Sequence, residues 1–391
     1  MTFALLIAVV GVVLLVDIAW AHRQLARAIR RQRLLVPRAT RYPSISVIRP
    51  VRGRDVDAEE NFRAALDTGY PGEIETLFVF DDEHDPGLEP ARAVVEEHRR
   101  AAGPGRAEVM VVGAPPPGRT GKLNAMMEGV VRARGELIAF GDSDTRPDRE
   151  VLRATVDTLL ASPRAGAAFA PVVVPGPART AGDVGYAMLL NAWYGPSVAQ
   201  SAGERGDVPF IMGQLMVFTR DCLRRIGGVG CAEGQLVDDM HIGACVARAG
   251  LRNVMSAHPL SIHAGGMSLY EFARLFRRWL LFSRNGLPNS FTWPMWQRGI
   301  EFWLAFAATS LALLTHHGAV ALLPLAGLIA YGMSMSGLQR EFGGQPLRAR
   351  WLWLPFVIPV IAPAVFLACV LRREVTWRGR AYALGTQARL A

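Results

Sequence analysis

The sequence has little cysteine and no pattern in what it has: Cys222, Cys231, Cys245 and Cys369 form no CxxC pair and no metal-ligand spacing. That excludes a disulfide framework and a zinc module, and reads as reduced, buried cysteines in a cytosolic domain and a membrane segment. A P-loop is missing too. Gly121 and Lys122 imitate one, but Pro116 stands where the first glycine is required and Leu123 where a Ser or Thr would bind magnesium. His258, His263, His316 and His317 have no ligand-like grouping with acids, and the chain shows neither an internal repeat nor a low-complexity stretch. Acid is absent altogether between His22 and Arg41, an arginine-rich stretch that follows an apolar run, Phe3 to Trp20, in which only Asp17 is charged.

What is present is apolar bulk. With 391 residues, 51% of them hydrophobic, and a mean hydropathy of +0.20, the chain is too long and too apolar for one soluble domain. Residues 1–21 have the length of a membrane-spanning helix, and the basic segment 22–41 behind them predicts a cytoplasmic flank with the N-terminus outside. A cleaved signal peptide would carry its basic residues before the run, not after it. The net charge of +9 sits largely in this segment and in the C-terminal tail. It therefore predicts arginines meeting anionic lipid and no nucleic-acid partner.

A second membrane region spans 300–371, with apolar pieces at Phe302–Leu314, Ala319–Met333 and Trp351–Leu371. Three crossings would put the basic tail 372–391, with Arg372, Arg373, Arg378 and Arg380, outside, against the charge rule. Pro355, Pro359 and Pro363 suggest instead a broken or re-entrant segment that returns the tail to the cytoplasm.

Between the membrane regions, residues 42–267 alternate strand and helix. Strands are predicted at Ser44–Pro50, Ile74–Phe80, Glu108–Val112, Leu137–Phe140, Ala167–Val174 and Phe210–Thr219. Helices are predicted at Glu59–Leu66, Leu88–Arg100, Lys122–Ala133, Val151–Leu160 and Asp238–Ala249, with Tyr186–Ser201 helical or loop. The fold class is α/β with a mostly parallel sheet. Several strands stop at polar or charged residues, so one sheet edge collects the chemistry. Residues 268–290 read as an amphipathic helix in the membrane interface.

Four groups on that edge carry chemistry. Asp142 and Asp144 follow the apolar run of GELIAFGDSDTRP and flank one residue, as suits a hard divalent cation and its phosphate, although Asp and Ser are also ordinary turn residues. Asp81 and Asp82 end another strand and could accept hydrogen bonds from a nucleotide or cap a turn. Lys122 and Asn124 open a helix, where a lysine either meets a diphosphate or is solvated. Asp238 and Asp239 open a later helix, as dipole-complementing acids or as a general base raised in pKa by a bound acceptor. Arg278 and Trp279, after Arg277 on the interface helix, could clamp phosphate or anchor the helix in lipid.

Taken in chain order, Asp82, then Asp142 and Asp144, then Asp238 and Asp239, then Arg278 and Trp279, the groups resemble the membrane-bound inverting glycosyltransferases of families 2 and 21, and more narrowly the ceramide glucosyltransferase family. DEHDP at 82–86, GKLNAM at 121–126, VDDMHIGACVARAG at 237–250 and VTWRGRAY at 375–382 are similar to that family's segments. The resemblance implies a GT-A fold facing the cytoplasm of a bacterial-type cell membrane, a UDP-sugar donor, most simply UDP-glucose, and a membrane lipid acceptor such as ceramide. It implies Asp82 and its neighbour Asp81 on the nucleotide, Lys122 and Asn124 on the donor, and Asp142 and Asp144 on Mg2+ or Mn2+ and diphosphate. Asp239, beside Asp238, is then the base, with Arg278 and Trp279 from a QxxRW-type signature. Position 275 is Leu where that signature has Gln or Arg. This departure disfavours a processive polymer synthase and favours single transfer to a lipid. A related transferase using UDP-GlcNAc on a hopanoid or glycerolipid stays open. A degenerate membrane scaffold predicts missing acids, and none is missing.

Overall fold

A computed structural model describes residues 2–34, 36–203, 206–284, 289–371, 374–383 and 389–390. Arg372 and Arg373 of the basic tail, and 285–288 at the end of the interface segment, lie outside the described residues.

The chain begins with α1 (Thr2–Gln32), one continuous helix through the apolar run and most of the basic segment. The α/β part follows as β1 (Ile45–Val51), α2 (Ala58–Leu66), β2 (Ile74–Phe80), α3 (Leu88–Arg100), β3 (Arg106–Val111), α4 (Gly121–Arg132) and β4 (Leu137–Gly141). It continues with β5 (Thr145–Arg146), α5 (Val151–Ala161), β6 (Ala165–Phe169), β7 (Val172–Val173), α6 (Ala181–Met188), a π-helical turn (Leu189–Tyr194) and α7 (Gly195–Ser201). The last part of the domain holds β8 (Asp207–Val208), β9 (Leu215–Thr219), α8 (Arg220–Arg225), α9 (Asp238–Arg248), β10 (Arg252–Met255) and β11 (Leu260–Ile262).

The main sheet has the order β3-β2-β1-β4-β9-β6-β10-β8. β1 pairs parallel with both β2 and β4, and β2 with β3, whereas β9 runs antiparallel between β4 and β6. Successive strands β1 to β3 march outward and β4 returns to the other side of β1, so the crevice between β1 and β4 is the switch point where open α/β sheets bind ligands. Both faces are covered, which explains the uninterrupted apolar strands. Leu137 and Ala139 of β4 pack with Val151, Leu152 and Val156 of α5, while Ile138 and Phe140 face Leu123 and Met126 of α4.

Two expected strands are shorter. The stretch Ala167–Val174 divides at Pro171: β6 stays in the main sheet, and β7 joins a small sheet with β11 and β5. A proline cannot donate to the ladder, so the strand changes sheets there. In Phe210–Thr219 only β9 is extended in the sheet; Gly213 and Gln214 before it form the loop beside the site.

The membrane part comprises α10 (Leu269–Arg284), α11 (Asn289–Leu314), α12 (Gly318–Phe342), α13 (Val357–Leu371) and a hairpin of β12 (Glu374–Trp377) and β13 (Arg380–Ala383). Among the described residues, three segments are long and apolar enough to cross a membrane: Phe3–Gln32, Gly318–Phe342 and Ala349–Leu371. Phe3 meets His317 at one end of the bundle, and Arg30 Nε lies 2.6 Å from Glu341 Oε1 at the other, so α1 and α12 run side by side toward the α/β domain. Asp17 accepts from Gln297 of α11, which runs the opposite way. Gln345, just after α12, lies against Gly176 of the α/β domain. From there the chain descends to Pro359, whose carbonyl accepts from Trp303 Nε1 of α11, and returns past Trp296, which meets Phe366, to Cys369 beside Arg277 of α10. Both ends of 349–371 therefore lie at the catalytic end of the bundle.

Candidate active site

One cavity of about 420 Å³ opens at the switch point. Its floor is the end of β4. Arg49 of β1 is buried, and its Nη2 donates to the carbonyls of Asp142 and Thr145 at 2.5 and 3.1 Å, bracing the Asp142–Thr145 turn. Burial pushes the Arg49 guanidinium down to about 10, against the pull of the surrounding carboxylates. Ser143 Oγ donates to Asp55 Oδ2 at 2.6 Å, and the Asp142 N–H donates to the Gln214 carbonyl at 3.0 Å. The turn is thus held by backbone and buried side chains, which leaves the Asp142 and Asp144 carboxylates free to face the cavity.

Asp142 Oδ1 lies 2.7 Å from Lys122 Nζ. Thr120 caps α4 by accepting from the Leu123 N–H at 3.1 Å, which places Lys122 in the first turn and aims it across the crevice. Burial opposes the lysine's charge, but Asp142, Asp238 and Asp239 outweigh it and raise its pKa. Lys122 is the only lysine among 43 basic residues of the chain.

Asp238 and Asp239 open α9 at the same cavity. Asp238 is buried; its Oδ1 accepts from the Asp239 N–H at 2.9 Å, and its Oδ2 has no partner. Asp239 is half-buried, and its Oδ1 accepts from the Met240 N–H at 2.8 Å. Gly213 makes room for it, since a Cβ there would come within 2.6 Å of Asp239 Oδ2. Burial first, and then the neighbouring Asp238 carboxylate, raise the Asp239 pKa despite Lys122.

Asp81, Arg278 and Trp279 complete the set of expected residues that line the cavity. Trp279 packs edge-on against Tyr194 of the π-helical turn, ring centroids 4.8 Å apart. Asp82 and Asn124 do not line it. Asp82 accepts from the His84 N–H at 3.0 Å, and Asn124 is buried, accepting from Arg119 Nη1 at 3.1 Å. Four further charged lining residues escaped sequence reasoning: Arg52, Asp55, Arg378 and Arg380. Arg52 Nη1 lies 2.5 Å from Asp81 Oδ1, and Arg380 Nη1 2.7 Å from Asp81 Oδ2.

The acids fit a hard divalent cation. Asp144 Oδ1 is buried with no partner, and burial together with Asp142 raises its pKa, so a cation here would relieve an unfavourable charge. Among the described residues no three His, Cys, Asp or Glu side chains form a complete ligand cage. The donor set matches ions that take one or two carboxylates and complete their shell with water and phosphate oxygens.

A switch-point crevice with acids at the ends of β2 and β4, a lysine at a helix start and a carboxylate pair at another defines a glycosyltransferase of GT-A architecture. The chain belongs to glycosyl transferase family 21, whose model matches residues 3–390; it is a hexosyltransferase and a membrane protein. Ceramide glucosyltransferase 3 of Caenorhabditis elegans is 23% identical over 351 residues, spanning 88% of this chain and 73% of the relative. Ceramide glucosyltransferase 1 of the same organism is 22% identical over 359 residues, spanning 89% and 73%. Among solved structures, the mannosyltransferase PcManGT from Pyrobaculum calidifontis, in complex with GDP-Man and Mn2+, shares the fold. Its TM-score is 0.55 at 20% identity, covering 90% of this chain and 99% of that one.

Proposed function

We propose that this protein transfers a sugar, glucose in the simplest case, from a UDP-sugar to the hydroxyl of a membrane lipid such as ceramide, with inversion at the anomeric carbon. The observation that carries the reading is Asp239, half-buried at the start of α9, in one cavity with Asp142, Asp144 and Lys122, walled by the interface helix α10. A lipid acceptor standing in the bilayer reaches that wall without leaving the membrane. The ceramide glucosyltransferase relatives support the acceptor class, and the Mn2+ and nucleotide sugar of the mannosyltransferase support the donor side.

Asp239 takes the proton of the lipid hydroxyl as its oxygen attacks the anomeric carbon. The bond to the diphosphate breaks on the opposite face, and its electron pair leaves with the phosphate oxygen. Lys122 and Arg278 stabilise that growing charge. Asp144 and Asp142 would hold Mg2+ or Mn2+, which supplies Lewis-acid stabilisation of the leaving diphosphate. Asp81, with Asp82 beside it, serves the nucleotide end. Basic residues in the last turn of α1, Arg30 and Arg31, support a cytoplasmic catalytic side by the charge rule.

The test is incubation of purified protein with a panel of UDP-sugars and lipid extracts, with products identified by mass spectrometry. Glucosylceramide as the main product supports the reading. An N-acetylglucosaminyl hopanoid or glycerolipid would redirect it to the related transferase, and no transfer or UDP release with any pair would sink it.

A further inference from the structure

The hairpin β12–β13 follows the last apolar segment, yet its side chains stand in the cavity at the far end of the sequence's own α/β domain. It is tied down on both sides of the site. Arg277 Nη2 of α10 donates to the Glu374 carbonyl at 3.1 Å, Val375 is buried with Leu236 and Leu281, and the Leu390 N–H donates to the Gly234 carbonyl at 2.9 Å. The hairpin is a strap across the crevice.

From this placement we infer that Arg378 is a catalytic residue that takes up the negative charge of the departing diphosphate, and that Arg380 is a positioning residue that sets Asp81 for the nucleotide. The inference rests on the reading that the donor is a nucleoside diphosphate sugar.

Charge decides the matter first. Six carboxylates line the cavity against five cations, and two of those five are Arg378 and Arg380. Without the hairpin three cations would face six carboxylates, an excess of acid that a divalent cation on Asp142 and Asp144 would not cancel, and an anionic diphosphate would meet a net-negative site. Geometry then separates the two arginines. Arg378 hydrogen-bonds Asp55, the residue that holds Ser143 of the DSD turn, and its Nη2 lies 3.8 Å from Asp144 Oδ2. It therefore has a donor beside the carboxylate whose other oxygen is unpartnered, where the phosphates must lie. A planar guanidinium can grip two phosphate oxygens there. Arg380 is committed elsewhere, to Asp81 Oδ2 at 2.7 Å, and the start of α4 is shaped around that pair. A Cβ on Gly121 would come within 2.5 Å of Asp81 Oδ2 and 2.6 Å of Arg380 Nη1. In the transfer, the anomeric carbon gains the lipid oxygen and loses the phosphate oxygen, the hydroxyl proton goes to Asp239, and Arg378 stays protonated beside the phosphate that keeps the electron pair.

The experiment uses full-length protein in lipid nanodiscs, titrated calorimetrically with UDP, UMP and uridine, alongside kcat and KM for the donor. Arg378→Ala is expected to lower kcat by about 10²-fold and weaken UDP by about tenfold, leaving uridine unchanged. Arg378→Lys regains part of the loss. Arg380→Ala is expected to raise the donor KM and weaken uridine as well as UDP, with kcat nearly kept, and Arg380→Lys restores it. If Arg378→Ala binds UDP and turns over within about twofold of wild type, the arginine is a structural ion pair and the inference fails. Should Arg378→Ala melt too low to titrate, Arg378→Lys decides: wild-type kcat with wild-type UDP affinity overturns the inference, and a kcat deficit at unchanged Tm upholds it. Wild-type protein that binds no nucleoside diphosphate overturns the donor reading and this inference together, whereas a wild type that binds UDP while Arg378→Ala is unaffected overturns the role of Arg378 alone.

Discussion

Lys122 Nζ and Asp142 Oδ1 lie 2.7 Å apart across the crevice, joining the first turn of α4 to the end of β4. The lysine is largely buried among acids, and its compact ammonium suits a space that a planar guanidinium does not. Lys122→Ala is therefore expected to lower kcat/KM by about 10²-fold. Lys122→Arg, conservative in charge, recovers little. Steady-state kinetics on both variants check this, and a fully active arginine variant would show that only charge is needed.

The raised pKa of Asp239 carries a sign. A base that holds its proton to higher pH is available only above that pH, so the acid limb of kcat/KM lies nearer neutrality than an ordinary carboxylate would put it. Asp238→Asn removes the adjacent like charge and is expected to move the limb to lower pH. Asp239→Asn abolishes turnover while UDP still binds. A pH profile of wild type and Asp238→Asn settles the first point; a limb that stays in place refutes it. The same shift makes the pair's contribution to stability fall as pH rises from the unfolded carboxylate value through the folded one.

For Asp144, the unpartnered Oδ1 predicts that Asp144→Ala loses the metal-dependent part of UDP affinity and keeps the metal-independent part. Titrations of UDP with Mn2+ and with a chelator measure both. Equal metal dependence in the variant would remove Asp144 from the metal.

Gly121→Ala sets two small effects against each other. Alanine improves helix propensity by less than about 1 kcal/mol at a helix start, whereas crowding the Asp81–Arg380 pair costs about 1–3 kcal/mol. Crowding wins, so UDP affinity and Tm are both expected to fall. An unchanged UDP affinity would show that the pair shifts freely.

A re-entrant path for 349–371, the reading favoured by the contacts at its two ends, predicts that Ala383→Cys and Val131→Cys, both on exposed positions, are labelled from the same side of the membrane in a cysteine-free background. Labelling of Ala383→Cys from the opposite face would mean that α13 crosses.

Much of the catalytic domain was legible because its strands are buried on both faces and stop abruptly at acids; β2 and α3 fall where their apolar runs and turns put them. Local patterns also located Asp142, Asp144, Asp238 and Asp239. They could not say that Asp81 rather than Asp82 faces the cavity, because a strand end can turn either way and the arginine that pairs with Asp81 alone, Arg380, comes from the far end of the chain. By composition Arg378 and Arg380 are lipid-facing tail charge, since a basic flank after an apolar run has that meaning, and only the folded hairpin brings them into the cavity. One signal went unused: a lysine in a chain that otherwise uses arginine for every basic position.

The strap formed by β12 and β13 also bears on the order of events in time. A ribosome releases the α/β domain long before residues 374–383, and domains fold as they emerge. That early domain has all six lining acids but only Arg52 and Lys122 of the five lining cations, so on the roles proposed above its donor site is incomplete until α10 and the hairpin have docked. On those roles, completion of the chain, and not folding of the α/β domain alone, completes the donor site.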